Sequence, residues 1–480
     1  MQWHVRLPLG SSSPARCRRS QAGGRSSDLP SPPWRRLGSP QRACAGISPA
    51  SQILPVHRHH RFRRLGGWGT SRLAGLTIAS GRVIIVVGIG ADGWDGLPGP
   101  VREQVERAAV VLGGRRQVDL VPAIEGQRRE TWPSPLRRGL AALLATLEGQ
   151  DVVALASGDP LVSGIATTLI DAVGADQVRV IPAVSSVALA RAAMGWPAES
   201  HATVSVVGRD VSLVRRELAP GRRILVLSSD ETTPDAVADL LCRDGYGDSI
   251  VTVLGDLGSP DETSSASAAT ERRGPYSRLN IVAIEATGPA AYASWTAGLP
   301  DDSFEHDGQL TKRDLRASAL ARLAPVPGEH LWDVGAGAGS IGIEWMRAHP
   351  TCTATAVEAD PERTERIGRN AARLGVPGLE VVEGRAPEVL AALPTPDAIF
   401  VGGGATRPGV IETCLDALGA QGRIVVHGVT LETEQVLARL YEEQGGELTR
   451  ISVESAGPVG TFTGWTPARA VTQWAYAKGS

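Results

Sequence analysis

Residues 331–345 read LWDVGAGAGSIGIEW, and this stretch decides the fold. An apolar strand-like run is followed by an Asp, three glycines in a GxGxG pattern and an apolar segment with helical spacing. Glycines at the end of a strand let the backbone approach a ligand closely. The next predicted strand ends in AVEAD, so Glu358 lies 21 residues after Gly337, where a carboxylate can accept hydrogen bonds from ribose hydroxyls. The stretch predicts an α/β site for a nucleoside-containing cofactor.

The glycine spacing alone leaves two cofactors open. Gly337, Gly339 and Gly342 also satisfy GxGxxG, so a nicotinamide-dependent oxidoreductase is an alternative. Three features favour S-adenosyl-L-methionine: Asp333 directly before the glycines, EGRAPEVL after the third predicted strand, and PDAIFVGGG at the end of the fourth.

The pattern extends in both directions from this stretch. From Val83 onward, short β-branched runs alternate with amphipathic segments, which predicts α/β architecture. Residues 286–309 interrupt the alternation with Gly, Pro, Ala and acids. We therefore expect domains at 81–290 and 300–480, the second with a seven-stranded sheet. The predicted strands are 83–87, 151–156, 178–181, 203–207, 223–227, 249–254 and 279–285, then 330–334, 353–357, 379–382, 398–401, 423–427, 447–453 and 470–474.

Charge is distributed unevenly along the chain. Residues 1–80 contain 13 Arg, no Lys and one acid among many Ser, Pro and Gly, whereas residues 81–480 contain 36 basic and 50 acidic residues. We expect 1–80 to be a disordered basic leader, and a start codon assigned too far upstream explains it best. A transit peptide and an RNA-binding arm are the alternatives. The acidic body must bind any polyanion through locally placed Arg residues.

The composition also argues against several classes of protein. The five cysteines form no CxxC and no metal-like Cys/His spacing, so we expect neither a disulfide framework nor a metal site. The longest apolar runs are far shorter than the roughly 18 to 20 residues that span a bilayer. These features predict a cytoplasmic protein without a membrane or nucleic-acid partner.

The N-terminal half carries a different set of motifs. VGIGADGWDGL again contains GxGxxG, but no acid ends the following strand, so dinucleotide binding is a poor interpretation. Further along come ALASGDPLVSG, VIPAVSSVALARAAMGWP and VSVVGRD. Together these four segments resemble the tetrapyrrole methylase family. The resemblance implies a two-lobed α/β domain that binds S-adenosylmethionine between its lobes as a homodimer.

The same resemblance implies roles for individual residues. Arg209, in the GR pair, could pair with a substrate carboxylate. Ala183 stands where the family usually has a glycine, which raises the question of whether a positive φ is needed there. The implied cofactor-binding residues are Gly88, Gly90, Gly158, Asp159, Pro160, Ser185 and Ser186.

The C-terminal half resembles the Rossmann-like S-adenosylmethionine methyltransferases of the decarboxylating precorrin methylase type. HDGQLTKRDLR, DVGAGAGS and FVGGG carry this resemblance. It implies that Glu358 binds the cofactor ribose and that Arg385 and Ala386 lie near adenine. The residues implied to surround the methionine part are Asp333, Gly335, Gly337 and Gly339.

Lys312 is one of only two lysines in a chain with 49 basic residues. A lysine retained at the start of a predicted helix suggests a site where a compact ammonium is needed. Thr311 and Lys312 also match the TK pair at the start of the resembling domain. We treat both as tentative catalytic residues, with Lys312 meeting a substrate carboxylate or the cofactor edge and Arg313 as a substrate clamp.

The pairing of the two halves resembles the fused decarboxylating precorrin methyltransferases of cobalamin biosynthesis. This implies a homo-oligomer that methylates carbons 5 and 15 of a tetrapyrrole with two S-adenosylmethionine molecules. It also implies decarboxylation of the ring C acetate, giving precorrin-8X. The resemblance assigns carbon 5 to the N-terminal half, and carbon 15 with decarboxylation to the C-terminal half.

Overall fold

The computed structural model describes residues 83–271, 274–290 and 294–479. The predictions for the leader, residues 1–80, therefore fall outside the described residues. The strands are β1 (Ile84–Ile89), β2 (Val110–Gly113), β3 (Arg128–Thr131), β4 (Val152–Ser157), β5 (Val178–Ile181), β6 (Ala202–Ser205), β7 (Arg223–Leu227), β8 (Ile250–Gly255), β9 (Thr263–Ala268), β10 (Asn280–Glu285), β11 (His330–Val334), β12 (Thr353–Glu358), β13 (Glu380–Glu383), β14 (Ala398–Val401), β15 (Arg423–Gly428), β16 (Glu447–Ile451), β17 (Glu454–Val459), β18 (Phe462–Pro467) and β19 (Val471–Ala477).

Helices occupy most of the intervals between these strands, as expected for α/β units. They are α1 (Gly99–Arg107), α2 (Arg115–Asp119), α3 (Leu136–Thr146), α4 (Ile165–Val173), α5 (Ser186–Met194), α6 (Thr233–Arg243), α7 (Arg313–Leu323), α8 (Ser340–Ala348), α9 (Pro361–Arg373), α10 (Val410–Ala417) and α11 (Leu431–Gln444).

The first sheet is parallel throughout, with the order β3-β2-β4-β1-β5. Its central strands β1 and β4 are apolar on both faces because hydrophobic clusters cover both sides of the sheet. Their carboxyl ends meet, with Ile89 beside Ser157. The glycine motif at the end of β1 and the turn Gly158-Asp159-Pro160 (the GDP turn) after β4 therefore lie together.

The second sheet is mixed, with the order β6-β7-β10-β8-β9. Only β6 and β7 are parallel, and the other neighbours are antiparallel. Leu225, Leu227, Ile281 and Ala283 on one face pack with residues of α5 such as Ala190. This face turns toward the carboxyl edge of the first sheet, since both sheets line one cavity.

The third sheet has the order β13-β12-β11-β14-β15-β19-β16, and β19 runs antiparallel to both of its neighbours. The strand order reverses between β11 and β14, the topological switch point at which open α/β sheets bind ligands. The predicted seven-stranded sheet is therefore confirmed, and the glycine-rich stretch leaves it at this switch point.

The structure also corrects the predicted strand set. Sequence patterns predicted seven strands in the N-terminal half and seven in the C-terminal half, and they missed β2, β3, β9, β17 and β18. Four of these are polar or exposed: β3 reads RRET, β9 reads TSSASA, and β17 pairs with β18 in a separate exposed hairpin. Such strands lack the apolar signal on which prediction depends.

Two features are absent from the residues that the structure describes. No helix among them is both long and apolar enough to cross a membrane. Among the same residues, no group of three or more His, Cys, Asp or Glu side chains is arranged to hold a metal ion.

Candidate active sites

The glycine-rich loop after β11 adopts a conformation that glycine permits. Gly335, Gly337 and Gly339 have φ values of 71°, 59° and 75°, in the left-handed region. A Cβ atom at Gly335 would lie 2.9 Å from the backbone nitrogen of Gly403, in the GGG segment after β14. The two segments therefore pack backbone against backbone, and a ligand above them would meet main-chain groups.

Asp333 lies beneath this loop at the end of β11 and is almost fully buried. Its Oδ2 accepts a hydrogen bond from the Gly342 N–H at 2.9 Å, in the first turn of α8. Its Oδ1 is buried without a hydrogen-bond partner in the described part of the chain. Burial raises the pKa of the Asp333 carboxyl to about 7, and the nearby charge of Glu358 adds to this. An unsatisfied buried acceptor of this kind indicates a ligand that donates.

Glu358 ends β12, the strand beside β11. Its Oε2 accepts from the Gly337 N–H at 2.8 Å, and its Oε1 accepts from the N–H groups of Ala359 at 2.9 Å and Asp360 at 3.1 Å. Oε1 already accepts two hydrogen bonds, whereas Oε2 accepts one and keeps a second lone pair, so the residue can brace the loop and still accept from a ribose through Oε2. Its role toward a cofactor stays a prediction.

Arg385 and Ala386 follow β13, the next strand along the same edge, where Glu383 is beside Glu358. Arg385 is exposed, whereas Ala386 is half-buried against the hydrophobic cluster below. The structure thus brings the predicted residues after β11, β12 and β13 to one carboxyl edge, in the order the motifs imply.

The segment before α7 closes over the glycine loop. A Cβ atom at Gly337 would lie 2.8 Å from the Gln309 carbonyl oxygen. Lys312 follows three residues later as the N-cap of α7, half-exposed, with its Nζ 3.8 Å from Asp301 Oδ2. The exposed Arg313 is the first residue of α7. Lys312 is therefore near the loop and free to move, because the one ion pair that it forms with the described residues is long and exposed.

Arg316, which sequence reasoning missed, fixes this segment from below. Its side chain is fully buried, with Nε donating to Glu344 Oε1 at 2.6 Å and Nη1 to Asp301 Oδ1 at 3.2 Å. The guanidinium also donates to the carbonyl oxygens of Thr311 and Leu299. A buried Arg with this many partners holds the backbone of the TK pair in place. The sequence signal for Arg316 was limited to the charged pattern RDLR at residues 313–316.

The N-terminal motifs meet in a second place, between the first and second sheets. A cavity of about 350 Å³ lies there, and its lining is mostly apolar, with Gly90, Gly158 and Ser186 contributing from the motifs. A Cβ atom at Gly88 would lie 2.1 Å from the Gly158 carbonyl oxygen and 2.6 Å from the Ala183 nitrogen. Gly88 therefore allows three motif segments to pack backbone against backbone at the cavity edge.

The remaining predicted N-terminal residues shape these segments. Asp159 Oδ1 accepts from the Leu161 N–H at 2.9 Å, and the buried Pro160 accepts from Ala166 at 3.2 Å through its carbonyl, so the GDP turn is fixed. Ser185 is the N-cap of α5, with its Oγ accepting from the Ala188 N–H at 3.1 Å.

The structure bears on two sequence expectations, the backbone conformation at Ala183 and the substrate contact of Arg209. Ala183 is not among the residues with positive φ, so the replacement of the usual glycine introduces no strain. Arg209 is exposed and is not among the residues that line the cavity, although Val207 is. Its proposed contact with substrate therefore lies at most at the rim. The arginine that does line the cavity is Arg116, on α2, which no motif indicated.

Both sites fit S-adenosylmethionine by their own chemistry. Above β11, the unpaired Asp333 Oδ1 is an acceptor for an ammonium, and the second lone pair of Glu358 Oε2 is an acceptor for a ribose hydroxyl. In the N-terminal half, the apolar cavity of about 350 Å³ lies within the range of pockets for small molecules and cofactors.

Comparison with known proteins agrees with both halves. The family described as "Tetrapyrrole (Corrin/Porphyrin) Methylases" matches residues 83–271, and the "Precorrin methyltransferase domain" matches residues 302–478. The precorrin-6Y C(5,15)-methyltransferase [decarboxylating] of a Sinorhizobium species is 46% identical over 82% of this chain and 96% of its own. That of Mycobacterium tuberculosis H37Rv is 43% identical over 82% of this chain and 100% of its own.

Solved structures include one half of such a protein. The C-terminal domain of precorrin-6Y C5,15-methyltransferase from Rhodobacter capsulatus is 40% identical, covers 38% of this chain and 100% of its own, and has a TM-score of 0.37.

The fold, the motifs and the matches define an S-adenosylmethionine-dependent C-methyltransferase, with a tetrapyrrole methylase domain followed by a Rossmann-like methyltransferase domain. This confirms the cofactor expected from the sequence and decides against the nicotinamide alternative. The chain belongs to the family of decarboxylating precorrin-6Y C(5,15)-methyltransferases of cobalamin biosynthesis.

Proposed function

We propose that this chain transfers two methyl groups to one tetrapyrrole, carbon 5 at the N-terminal cavity and carbon 15 at the glycine loop after β11. The C-terminal site also decarboxylates the ring C acetate, so that precorrin-6Y becomes precorrin-8X. The observation that carries the proposal is that the two halves of the chain have different folds and each contains a site bordered by closely packed glycine backbone. The names of the full-length relatives, which include both carbons and decarboxylation, support it.

At the C-terminal site we assign the cofactor to the residues along the sheet edge. Gly335, Gly337 and Gly339 offer main-chain groups to its methionine part, and Asp333 accepts from its ammonium. Glu358 accepts from the ribose on the neighbouring strand. Arg385 and Ala386 border the adenine, since they follow the next strand along.

At the N-terminal site the cofactor lies in the cavity between the sheets. Gly90 lines it on the β1 side, and Gly88, which is not a lining residue, packs against the backbone of Gly158 and Ala183. Gly158 lines it on the β4 side, in the turn that Asp159 and Pro160 complete, and Ser186 lines it from α5, whose first turn Ser185 caps.

The bound cofactor supplies a methyl group that its sulfonium already activates, so the chain needs no strong nucleophile. The protein's task is to align that methyl with a nucleophilic carbon of the macrocycle and to exclude water. Methylation at carbon 15 leaves an iminium in the conjugated ring of the substrate. Loss of carbon dioxide from the ring C acetate returns the bonding electron pair to that iminium, so the substrate provides its own electron sink.

Lys312 is the residue we assign to the substrate at the C-terminal site. Its ammonium is half-exposed beside the loop and exchanges Asp301 for a substrate carboxylate without leaving a buried charge unpaired. Thr311 positions it, because the Thr311 carbonyl is held by Arg316. Arg313 and, at the rim of the other site, Arg209 are further candidates for substrate carboxylates.

The proposal also covers the domain bounds, the cellular location and the assembly of the chain. The domains comprise 81–290 and 300–480, the chain acts in the cytoplasm, and it assembles as a homo-oligomer. Size-exclusion chromatography with light scattering measures the last of these directly, and a monomeric mass would contradict it.

Mass spectrometry of the full chain tests the proposed reaction. The chain is incubated with precorrin-6Y and S-adenosylmethionine, and the product mass is compared with that of the substrate. We expect two methyl additions and the loss of one carbon dioxide. An unchanged substrate mass, in a chain that is folded by circular dichroism, would contradict the proposal.

A further inference from the structure

A cluster of hydrogen-bond donors lies in the N-terminal cavity outside the sequence motifs. Arg116 Nη2 and Gln117 Nε2, both on α2, donate to the Oγ of Ser157 at 2.9 Å and 2.6 Å. These two bonds use both lone pairs of that oxygen, so the Ser157 hydroxyl can act only as a donor to any third partner. All three residues line the cavity.

The charge of Arg116 is poorly compensated. In residues 83–271, 274–290 and 294–479 no carboxylate forms an ion pair with it, and the one hydrogen bond its guanidinium makes is to the neutral Ser157. Burial lowers the pKa of Arg116, and the more distant charge of Asp256 opposes this only in part. A half-buried cation in an apolar cavity is costly unless an anion joins it.

We propose that Arg116 and Ser157 form a carboxylate-binding subsite in this cavity. A guanidinium presents a planar fork of N–H groups that matches a carboxylate, and the Ser157 hydroxyl adds a further donor. The acidic body of the chain repels a polyanionic ligand, so recognition depends on a local cation of this kind. The inference rests on the proposed use of this cavity by cofactor and tetrapyrrole.

Two ligands could provide the carboxylate: the amino-acid end of the cofactor or a side chain of the tetrapyrrole. Two probes distinguish them. S-adenosylhomocysteine carries the amino-acid carboxylate, whereas 5′-methylthioadenosine has the same nucleoside without it. Titration calorimetry uses the full chain with Gly335→Val, whose C-terminal site is blocked, so that only the N-terminal site is measured.

In this background, Arg116→Met lowers the affinity for the ligand that provides the carboxylate by roughly 10-fold to 100-fold, and Ser157→Ala lowers it by a few-fold. If the cofactor supplies the carboxylate, the loss falls on S-adenosylhomocysteine and spares 5′-methylthioadenosine. If the tetrapyrrole supplies it, both probes bind normally and the KM for the carbon 5 step rises. Arg115→Met, an exposed neighbour on the same helix, changes neither.

The inference is overturned if Arg116→Met and Ser157→Ala leave both affinities and the KM within twofold of the background. Ser157→Ala keeps the test decisive should Arg116→Met fail to fold, because it removes only a hydroxyl at a strand end. Failure of the Gly335→Val background itself to bind S-adenosylhomocysteine would instead contradict the proposed function, and this inference with it.

Discussion

The chain contains two loops with the same GxGxxG spacing and two different constructions. After β11, Gly335, Gly337 and Gly339 have positive φ, and carboxylates brace the loop through the N–H groups of Gly337 and Gly342. At the end of β1, neither Gly88 nor Gly90 has positive φ, although Gly93 does, and Gly88 packs against the backbone of Gly158 and Ala183. A glycine spacing therefore indicates close approach of a backbone, and the acids around it indicate which kind of site is formed.

We call the loop after β11, residues 335–339, the braced loop, because Glu358 and Asp333 hold it. The largest effect is expected where this loop is most crowded. Gly335→Val puts a β-branched residue at φ 71° with its Cβ 2.9 Å from the Gly403 nitrogen. We expect carbon 15 methylation and decarboxylation to fall together by about 100-fold or more, with carbon 5 methylation retained. Mass spectrometry of the product measures this. Gly368→Val, on an exposed helix face with open space around it, is the control. Equal loss of both methylations would contradict the separation of the sites.

The matching change in the other loop is expected to be milder. At Gly90 the nearest atom to a Cβ would be Asp92 Oδ1, at 2.3 Å, on a side chain that can move, so we expect Gly90→Val to keep the fold and fill part of the cavity. Carbon 5 methylation should fall by about 10-fold to 100-fold, with carbon 15 methylation retained. Gly99→Val, in open space, is the control. Loss of carbon 15 methylation instead would reverse the assignment of the sites.

Lys312 tests whether the segment over the braced loop contacts the substrate. Lys312→Arg keeps the charge but replaces a compact ammonium with a broad fork, so we expect the KM for the carbon 15 step to rise about tenfold with a smaller change in kcat. Lys478→Arg is the comparison, since that ammonium donates to the Leu415 and Leu418 carbonyls instead. Steady-state kinetics with an unchanged KM for Lys312→Arg would remove Lys312 from the substrate site.

Asp333 gives the loop after β11 a cost in stability at neutral and alkaline pH. Because burial raises the pKa of Asp333 to about 7, the folded chain keeps a proton that the unfolded chain loses above about pH 4. The contribution of Asp333 to the free energy of unfolding is therefore fully present below about pH 4 and is lost as the pH rises through about 7. Asp333→Asn should be more stable than the wild type by about 2 kcal/mol at pH 8, and this gain should be smaller at pH 5.

Urea denaturation at both pH values measures this difference, and the same variant should bind S-adenosylhomocysteine more weakly. The exposed Asp302→Asn is the control and should stay within about 0.5 kcal/mol of the wild type at both pH values. A variant of Asp333 that is destabilised at pH 8 would contradict the pKa argument.

The sequence predicted the braced loop better than the cavity, for a physical reason. Asp333, Gly337 and Glu358 lie at the ends of adjacent apolar strands, so spacing alone brings them together. Arg116 and Ser157 are 41 residues apart and meet only because β2 lies beside β4. Arg316 was missed likewise, since its partners come from two other segments.

The central claim is that one chain holds two independent cofactor sites. Equilibrium dialysis of the full chain with labelled S-adenosylhomocysteine counts the molecules bound per chain. The account predicts two for the wild type and one each for Gly335→Val and Gly90→Val, with the double variant binding none. One molecule per wild-type chain, or loss of both by either single change, would contradict it.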